Sequence, residues 1–510
     1  MSPAEDLKKW VKTLTPAEKR FVTLIGKARA GAGSQLLDFF DWLNHSKEGE
    51  AIPSEAAFSV NVSTLAVRLR ELILDSLRLL AKDAGTDAVL RHSLEDANIL
   101  IGKKLYQPAV RLIRKSKKLA YECCRYTIIL QCIEIELKLL MTNTTDQPEK
   151  SLGELRAEET EVLFKQQVFA ELHYRHNALL KLAKHNPFSR NPQIVDSVVQ
   201  LANSPLVDDA LTARSYTENA LAVNITGIRD LYLRNPEPAI ERYRQLLNTW
   251  KQNTYWQADQ PELLMTICKY YQNVCFFSPV DPGMVHTDLM SLKGFEGLPA
   301  DSLRTFRETL FHNKFILALN RANFEAIPAL IFEIQEWLNA EEKYLSETQV
   351  LPFLCNFAVA QFLAEDFQAA HQTLINIQRL PNTKVRTDIR DFALLMFTIL
   401  NYELNDEARS DSLLRSGKLH FSKKVTPGNF ELIVLKYIGL LKNVNSAADK
   451  QEKMQQLFNE LEKLPHGLAQ TMPVLGLNEV KLWAIARTQK RAIKDVFADE
   501  VQKTAQQTKF

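Results

Sequence analysis

A chain of 510 residues exceeds the ~250 to 300 residues at which single hydrophobic cores stop growing, so it reads as several domains or one elongated array. Its 46% hydrophobic and 24% charged residues are those of a folded soluble chain, and its 16 glycines, about 3% against a usual ~7%, leave little material for phosphate loops or tight hairpins. Lysine and arginine number 63 against 61 aspartate and glutamate, so no global field recruits nucleic acid or an anionic membrane, and any such contact has to be local.

From the amino terminus, the first twenty residues are charged and lack the apolar core of a secretion signal. Thr15-Pro16-Ala17-Glu18 is a helix start, with Thr15 as cap, Pro16 in the first helical position and Glu18 closing a capping box. Gly31-Ala32-Gly33-Ser34 breaks that helix, and Leu36 to Leu43 begin another. Pro53 to Phe58, a break near Val60-Asn61-Val62, and the apolar helical pattern from Ser63 to Leu80 complete an amino-terminal helical unit over residues 1–82.

The next region, 83–277, is helix after helix. Leu105, Ala109, Leu112, Ile113, Ser116, Leu119, Ala120 and Cys123 trace one apolar stripe, a helix follows from Tyr126 to Leu140, and a long one spans 151–185. In that long helix Leu155, Val162, Phe169 and Ala183 share a seven-residue register that His176 interrupts, and an antiparallel partner within the chain is expected. Glycine and proline concentrate in 278–300, read as a linker before carboxy-terminal helical repeats over 301–510. The apolar run Phe392 to Leu400 is nine residues, half of a membrane span. The six cysteines lie in apolar helical patterns and form no C-x-x-C pair, so they read as core thiols. These features place the chain in the cytoplasm, with no membrane contact.

Three segments read as helix hairpins: Leu221 to Trp250 with a turn at 235–238, Phe315 to Leu338 with a turn at 322–323, and Leu354 to Pro381 with a turn at 365–366. After their turns the last two set Phe324, Ile327, Ile331 and Ile334, and Phe367, Ala370, Leu374 and Ile377, on one helix face. This pattern resembles tetratricopeptide (TPR) repeats; the segment around Tyr106, Ala109 and Ile113 fits it too, and Glu407 to Leu414 more loosely. The step from Ile327 to Ala370 is 43 residues, longer than the ~34 of a regular unit, so the repeats are irregular. The chain also looks like bacterial proteins without an assigned activity that join a small helical amino-terminal unit to such repeats. The resemblance implies an all-α solenoid of antiparallel helix pairs.

The demanding catalytic motifs G-x-x-x-x-G-K-[ST], G-x-S-x-G and H-E-x-x-H are missing, and Gly31-Ala32-Gly33 lacks the third glycine of a dinucleotide loop. No catalytic residue, metal or cofactor is therefore expected. His173 and His176 read as a polar or interhelical pair, and the carboxylate pairs Glu158/Glu161 and Glu341/Glu342 as solvated helix faces. The strongest local signal is basic: Lys103, Lys104, Arg111, Arg114, Lys115, Lys117, Lys118 and Arg125 stand against one acid, Glu122, and complement the apolar stripe. Of these, Lys104, Arg111, Arg114, Lys115 and Lys118 are the candidate contacts to an acidic partner. A second possibility is a helix-turn-helix over residues 50–80, with Arg68 and Arg70 as base readers or phosphate contacts. Against it stands the reading of that unit as a helical cap. The function expected is a non-enzymatic scaffold for a protein or peptide partner, and the alternative a DNA-binding regulator with a repeat-based sensor.

Overall fold

A computed structural model of the chain describes residues 3–30, 34–47, 50, 61–80, 85–141, 150–186, 189, 191–212, 215–252, 256, 259–276, 282–292, 299–381, 386–423, 430–464 and 475–507. Among these there are 24 α-helices, one short 3-10 helix and no strand, so the all-α class expected from low glycine and helical periodicity holds. The chain divides into two compact units, residues 1–166 and 167–510.

The first unit contains α1 (Pro3–Thr13), α2 (Pro16–Ala30), α3 (Gln35–His45), α4 (Val62–Leu80), α5 (Thr86–Gly102), α6 (Tyr106–Glu122) and α7 (Tyr126–Met141), and α8 (Leu152–His185) begins in it. The capping box at α2 forms as its sequence predicts, with the Glu18 amide donating to Thr15 Oγ1 at 3.2 Å and the Thr15 amide to Glu18 Oε2 at 2.7 Å. Ser151 and Glu154 repeat the device at the start of α8. Helices α1 to α4 share a core of Leu7, Val11, Phe39, Phe40, Leu43, Leu69 and Ile73; α5 to α7 build a second one around Ala97, Ile113 and Cys132. Pro53 to Phe58 lie outside the described residues.

The second unit holds the rest of α8, then α9 (Pro192–Ala202), α10 (Pro205–Leu211), α11 (Tyr216–Tyr232), α12 (Glu237–Lys251), α13 (Pro261–Phe276), α14 (Pro282–Met290), α15 (Ala300–Asn320) and α16 (Ile327–Ala340). It continues with α17 (Glu347–Leu363), α18 (Phe367–Arg379), α19 (Thr387–Glu403), α20 (Glu407–Ser422), α21 (Phe430–Lys442), α22 (Ala447–Glu462), α23 (Leu477–Gln489) and α24 (Ile493–Gln507). Successive helices pack on one another in chain order, as in a solenoid whose pairs are stabilised by their neighbours. The three hairpins expected from sequence are α11/α12, α15/α16 and α17/α18, and Ile327, Ile331, Ile334, Ala370, Leu374 and Ile377 are buried as their spacing requires. Residues 282–290 of the stretch read as a linker form α14, whose Val285 and Leu289 enter the core, while 278–281 and 293–298 lie outside the described residues. The run Phe392 to Leu400 is apolar because α19 is surrounded by other helices.

One turn geometry recurs. At Lys104, Cys124, Arg234, Ala322, Glu365, Asn405 and Lys490 the backbone is left-handed, with φ between 49° and 61°. The next amide, on Leu105, Arg125, Asn235, Asn323, Asp366, Asp406 or Arg491, donates to the carbonyl five residues back at 2.8 to 3.0 Å. This is the Schellman closure, which satisfies helix-end carbonyls and turns the chain into its next helix; glycine is its usual residue, and none of these seven is glycine.

The last two helices return to earlier ones. Arg487 on α23 bonds Glu403, the final residue of α19, at 2.9 Å and Glu365, in the turn after α17, at 2.7 Å. Trp483 donates to Glu403 Oε1 at 2.6 Å, and Phe497 on α24 meets Phe324 edge-on at 5.9 Å between ring centres.

Candidate functional site

Helix α6 sorts its residues by face. Ala109, Ile113, Ser116, Ala120 and, just past its end, Cys123 are buried, as the stripe predicts, whereas Leu105 at its start is half exposed. The opposite face carries Arg111, Arg114, Lys115 and Lys118, all exposed, and Lys103 and Lys104 are exposed in the turn before it. Lys103, Lys104, Arg111, Lys115 and Lys118 make no ion pair among the described residues.

Two of the eight cations do not belong to that face. Lys117 is buried, and its Nζ sits 2.6 Å from Glu136 Oε2 on α7 and 2.7 Å from Glu158 Oε2 on α8. Its position on the inner edge of the helix follows from the 100° step per residue, which carries Lys117 inward and Lys118 outward. Arg125 pairs with Asp87 and donates to the Cys123 carbonyl at 2.7 Å, fixing the turn between α6 and α7.

Glu158 is likewise not on a solvated face. Lys117, Lys150 at 3.0 Å and the Tyr121 hydroxyl at 2.8 Å converge on its carboxylate. Burial opposes the charge on Glu158, and these donors outweigh burial, so its carboxyl lies below the usual range. Glu341 is also engaged, by Arg304 Nε at 2.9 Å.

On α4, Arg68 is exposed, while the Arg70 guanidinium lies 5.2 Å above the Trp10 ring centre. Leu65, Leu69 and Leu72 are buried in the core that α4 shares with α1 to α3.

Two polar clusters of the second unit have no local sequence signal, because their members come from helices far apart in the chain. His176 on α8, Asn224 on α11 and Tyr243 on α12 form a buried chain, with His176 Nε2 and Asn224 Nδ2 at 2.7 Å and the Tyr243 hydroxyl donating to Asn224 Oδ1 at 2.6 Å. Burial and then the nearby His173 push the His176 imidazole down to about 4, so it is neutral at pH 7. His173 packs edge-on against Phe169. Gly227 makes this packing feasible, since a Cβ there would lie 2.4 Å from the Tyr243 hydroxyl. In the other cluster Glu308, buried on α15, accepts from Lys269 Nζ and Gln349 Nε2, each at 2.9 Å. Both clusters spend their polar groups on one another.

All six cysteines are buried and none forms a disulfide, and burial raises the thiols of Cys132, Cys268 and Cys275 to about 12. Among the described residues no group of three or more His, Cys, Asp or Glu is placed to hold a metal ion, and no helix is long and apolar enough to cross a membrane. Compared with protein-family models, with curated proteins and with solved structures, the chain matches none.

Proposed function

We propose that this chain is a non-enzymatic helical-repeat scaffold, resembling tetratricopeptide-like repeats, that holds a protein or peptide partner in the cytoplasm. The observation that carries the reading is the outward face of α6, where Arg111, Lys115 and Lys118 are exposed and make no ion pair among the described residues, while their neighbours Lys117 and Arg125 are used to build the fold. A charged face of this kind sets encounter rate and partner choice more than raw affinity. The closed interior polar clusters and the high thiol pKa values support a structural use of the residue types that chemistry would otherwise draw on. Affinity capture of the tagged protein from its own cells, with and without nuclease, tests the proposal. A stoichiometric protein partner that survives nuclease is expected, and recovery of nothing beyond nucleic acid contradicts it.

The DNA-binding alternative rests on α4, whose Arg68 is exposed; Arg70, laid on Trp10, is committed to the fold of the amino-terminal helices. It requires salt-sensitive selection of DNA fragments that Arg68→Ala abolishes without unfolding the chain.

A further inference from the structure

We infer that the outward face of α6 is the docking surface for an acidic peptide segment, about two turns of carboxylates followed by an apolar side chain; this rests on the scaffold reading and names its partner's chemistry. Three observations lead there.

Arg111, Arg114, Lys115 and Lys118 stand at intervals of three and four residues, the spacing at which helical side chains are neighbours and like charges weaken the helix. Elsewhere the same unit sets opposite charges at that spacing: Glu134 with Lys138, Arg156 with Glu159, and Glu161 with Lys165. On α6 the four cations of this face have only one another at that spacing within residues 111–118, at a cost that an anionic ligand would reverse.

One turn beyond Lys118 stands Tyr121, a residue 37% exposed whose hydroxyl donates to Glu158 Oε1 at 2.8 Å. Glu158 is itself fixed by Lys117 and Lys150. The ring is therefore offered in one orientation, so an apolar side chain packing on it orders little that is not already ordered.

The positive run also ends there. Glu122 follows Tyr121 in sequence, and Glu158, Glu161 and Glu136 all act electrostatically on the Tyr121 hydroxyl, which burial first and these carboxylates second raise above its ordinary pKa. A nucleic-acid strand stacking a base on Tyr121 would carry its phosphates into these carboxylates. A peptide has only to place an uncharged side chain at that point. Charge complementarity along the run and the acidic boundary at its end together favour the peptide.

Fluorescence anisotropy on the full chain tests this with a labelled helical peptide bearing glutamates at i, i+3, i+4 and i+7 and a leucine one turn later. The reference probes are its lysine-substituted counterpart and a single-stranded oligonucleotide of about 20 nucleotides, a length sufficient to occupy an ordinary single-strand groove. Saturable binding of the acidic peptide is expected, weakened about tenfold or more by R111E/K115E/K118E and by raising salt from about 50 to 300 mM. The reversed variant is expected to take up the lysine peptide instead, which also shows that it remains folded. Tyr121→Ala is expected to weaken the acidic peptide by about three- to tenfold while leaving its salt dependence in place. Absence of peptide binding, binding indifferent to the reversal, or preference for the oligonucleotide overturns the inference. If it falls while a stoichiometric protein partner is still captured, the scaffold reading stands and the partner lies elsewhere; if no partner is captured either, both fall.

Discussion

Lys117 and Lys118 are the same residue type in adjacent positions, and the fold puts them to opposite uses. Lys117 is buried between two carboxylates; Lys118 is exposed without an ion pair among the described residues. Removing one partner of a buried pair leaves uncompensated charge, so Lys117→Ala is expected to destabilise the first unit by about 3 to 5 kcal/mol. Lys118→Ala should stay within about 0.5 kcal/mol. Thermal denaturation of the two variants side by side checks the assignment, and equal effects would contradict it. His176 gives a second contrast, in pH. Its folded-state pKa of about 4 lies below the ordinary 6.5, so the unfolded chain takes up a proton first as pH falls. The associated stability is complete above 6.5 and lost between 6.5 and about 4. The melting temperature should therefore fall across that window, and His176→Gln, which keeps a partner for Asn224, should give a shallower slope there. An unchanged slope would show that His176 carries no part of this dependence.

At the level of helices, the boundaries were legible where a side chain makes the cap. Thr15 with Glu18 predicted the start of α2, and the three- and four-residue spacing of Ala109, Ile113, Ser116 and Ala120 predicted the buried face of α6. The turns were not legible in the same way. Their defining feature is a left-handed residue, and without glycine at Lys104, Ala322 or Glu365 the sequence carries no mark of it. Low glycine content pointed correctly to helices and at the same time concealed the device that joins them. Ala322→Gly is accordingly expected to stabilise the chain by up to about 1 kcal/mol, because a left-handed conformation costs an L-residue about 1 to 2 kcal/mol and glycine's looser unfolded state returns part of it. Gly227 is the opposite case: it lies within α11 with Tyr243 packed against it, so Gly227→Ala should destabilise despite alanine's better helix propensity. Thermal denaturation of both variants decides; the same sign for the two would be inconsistent with this account. The basic face of α6 was partly legible. Its exposed cations and the inner-edge position of Lys117 follow from helical phase, but the carboxylates that pair with the buried Lys117, Glu136 and Glu158, arrive from two other helices, which no local pattern encodes.

On the scale of the whole molecule, repeat spacing indicated stacked hairpins, and each unit has them packed in chain order. Spacing did not indicate that α23 and α24 would return to α17, α19 and Phe324, because that return rests on single side chains, Arg487, Trp483 and Phe497, many residues from their partners. Arg487→Ala leaves Glu365 and Glu403 without a shared cation and is expected to raise hydrogen exchange in α23 and α24 more than in α17, since local opening follows the weakest attachments. Equal protection in the variant would show that apolar packing alone holds the closure. Whether the chain holds a protein partner through the outward face of α6 is read out by lysine cross-linking of the captured complex followed by mass spectrometry. Cross-links to the partner are expected from Lys103, Lys104, Lys115 or Lys118, and they are expected to disappear, together with the partner, in R111E/K115E/K118E. A partner retained by that variant and cross-linked only through lysines of residues 167–510 would contradict this expectation.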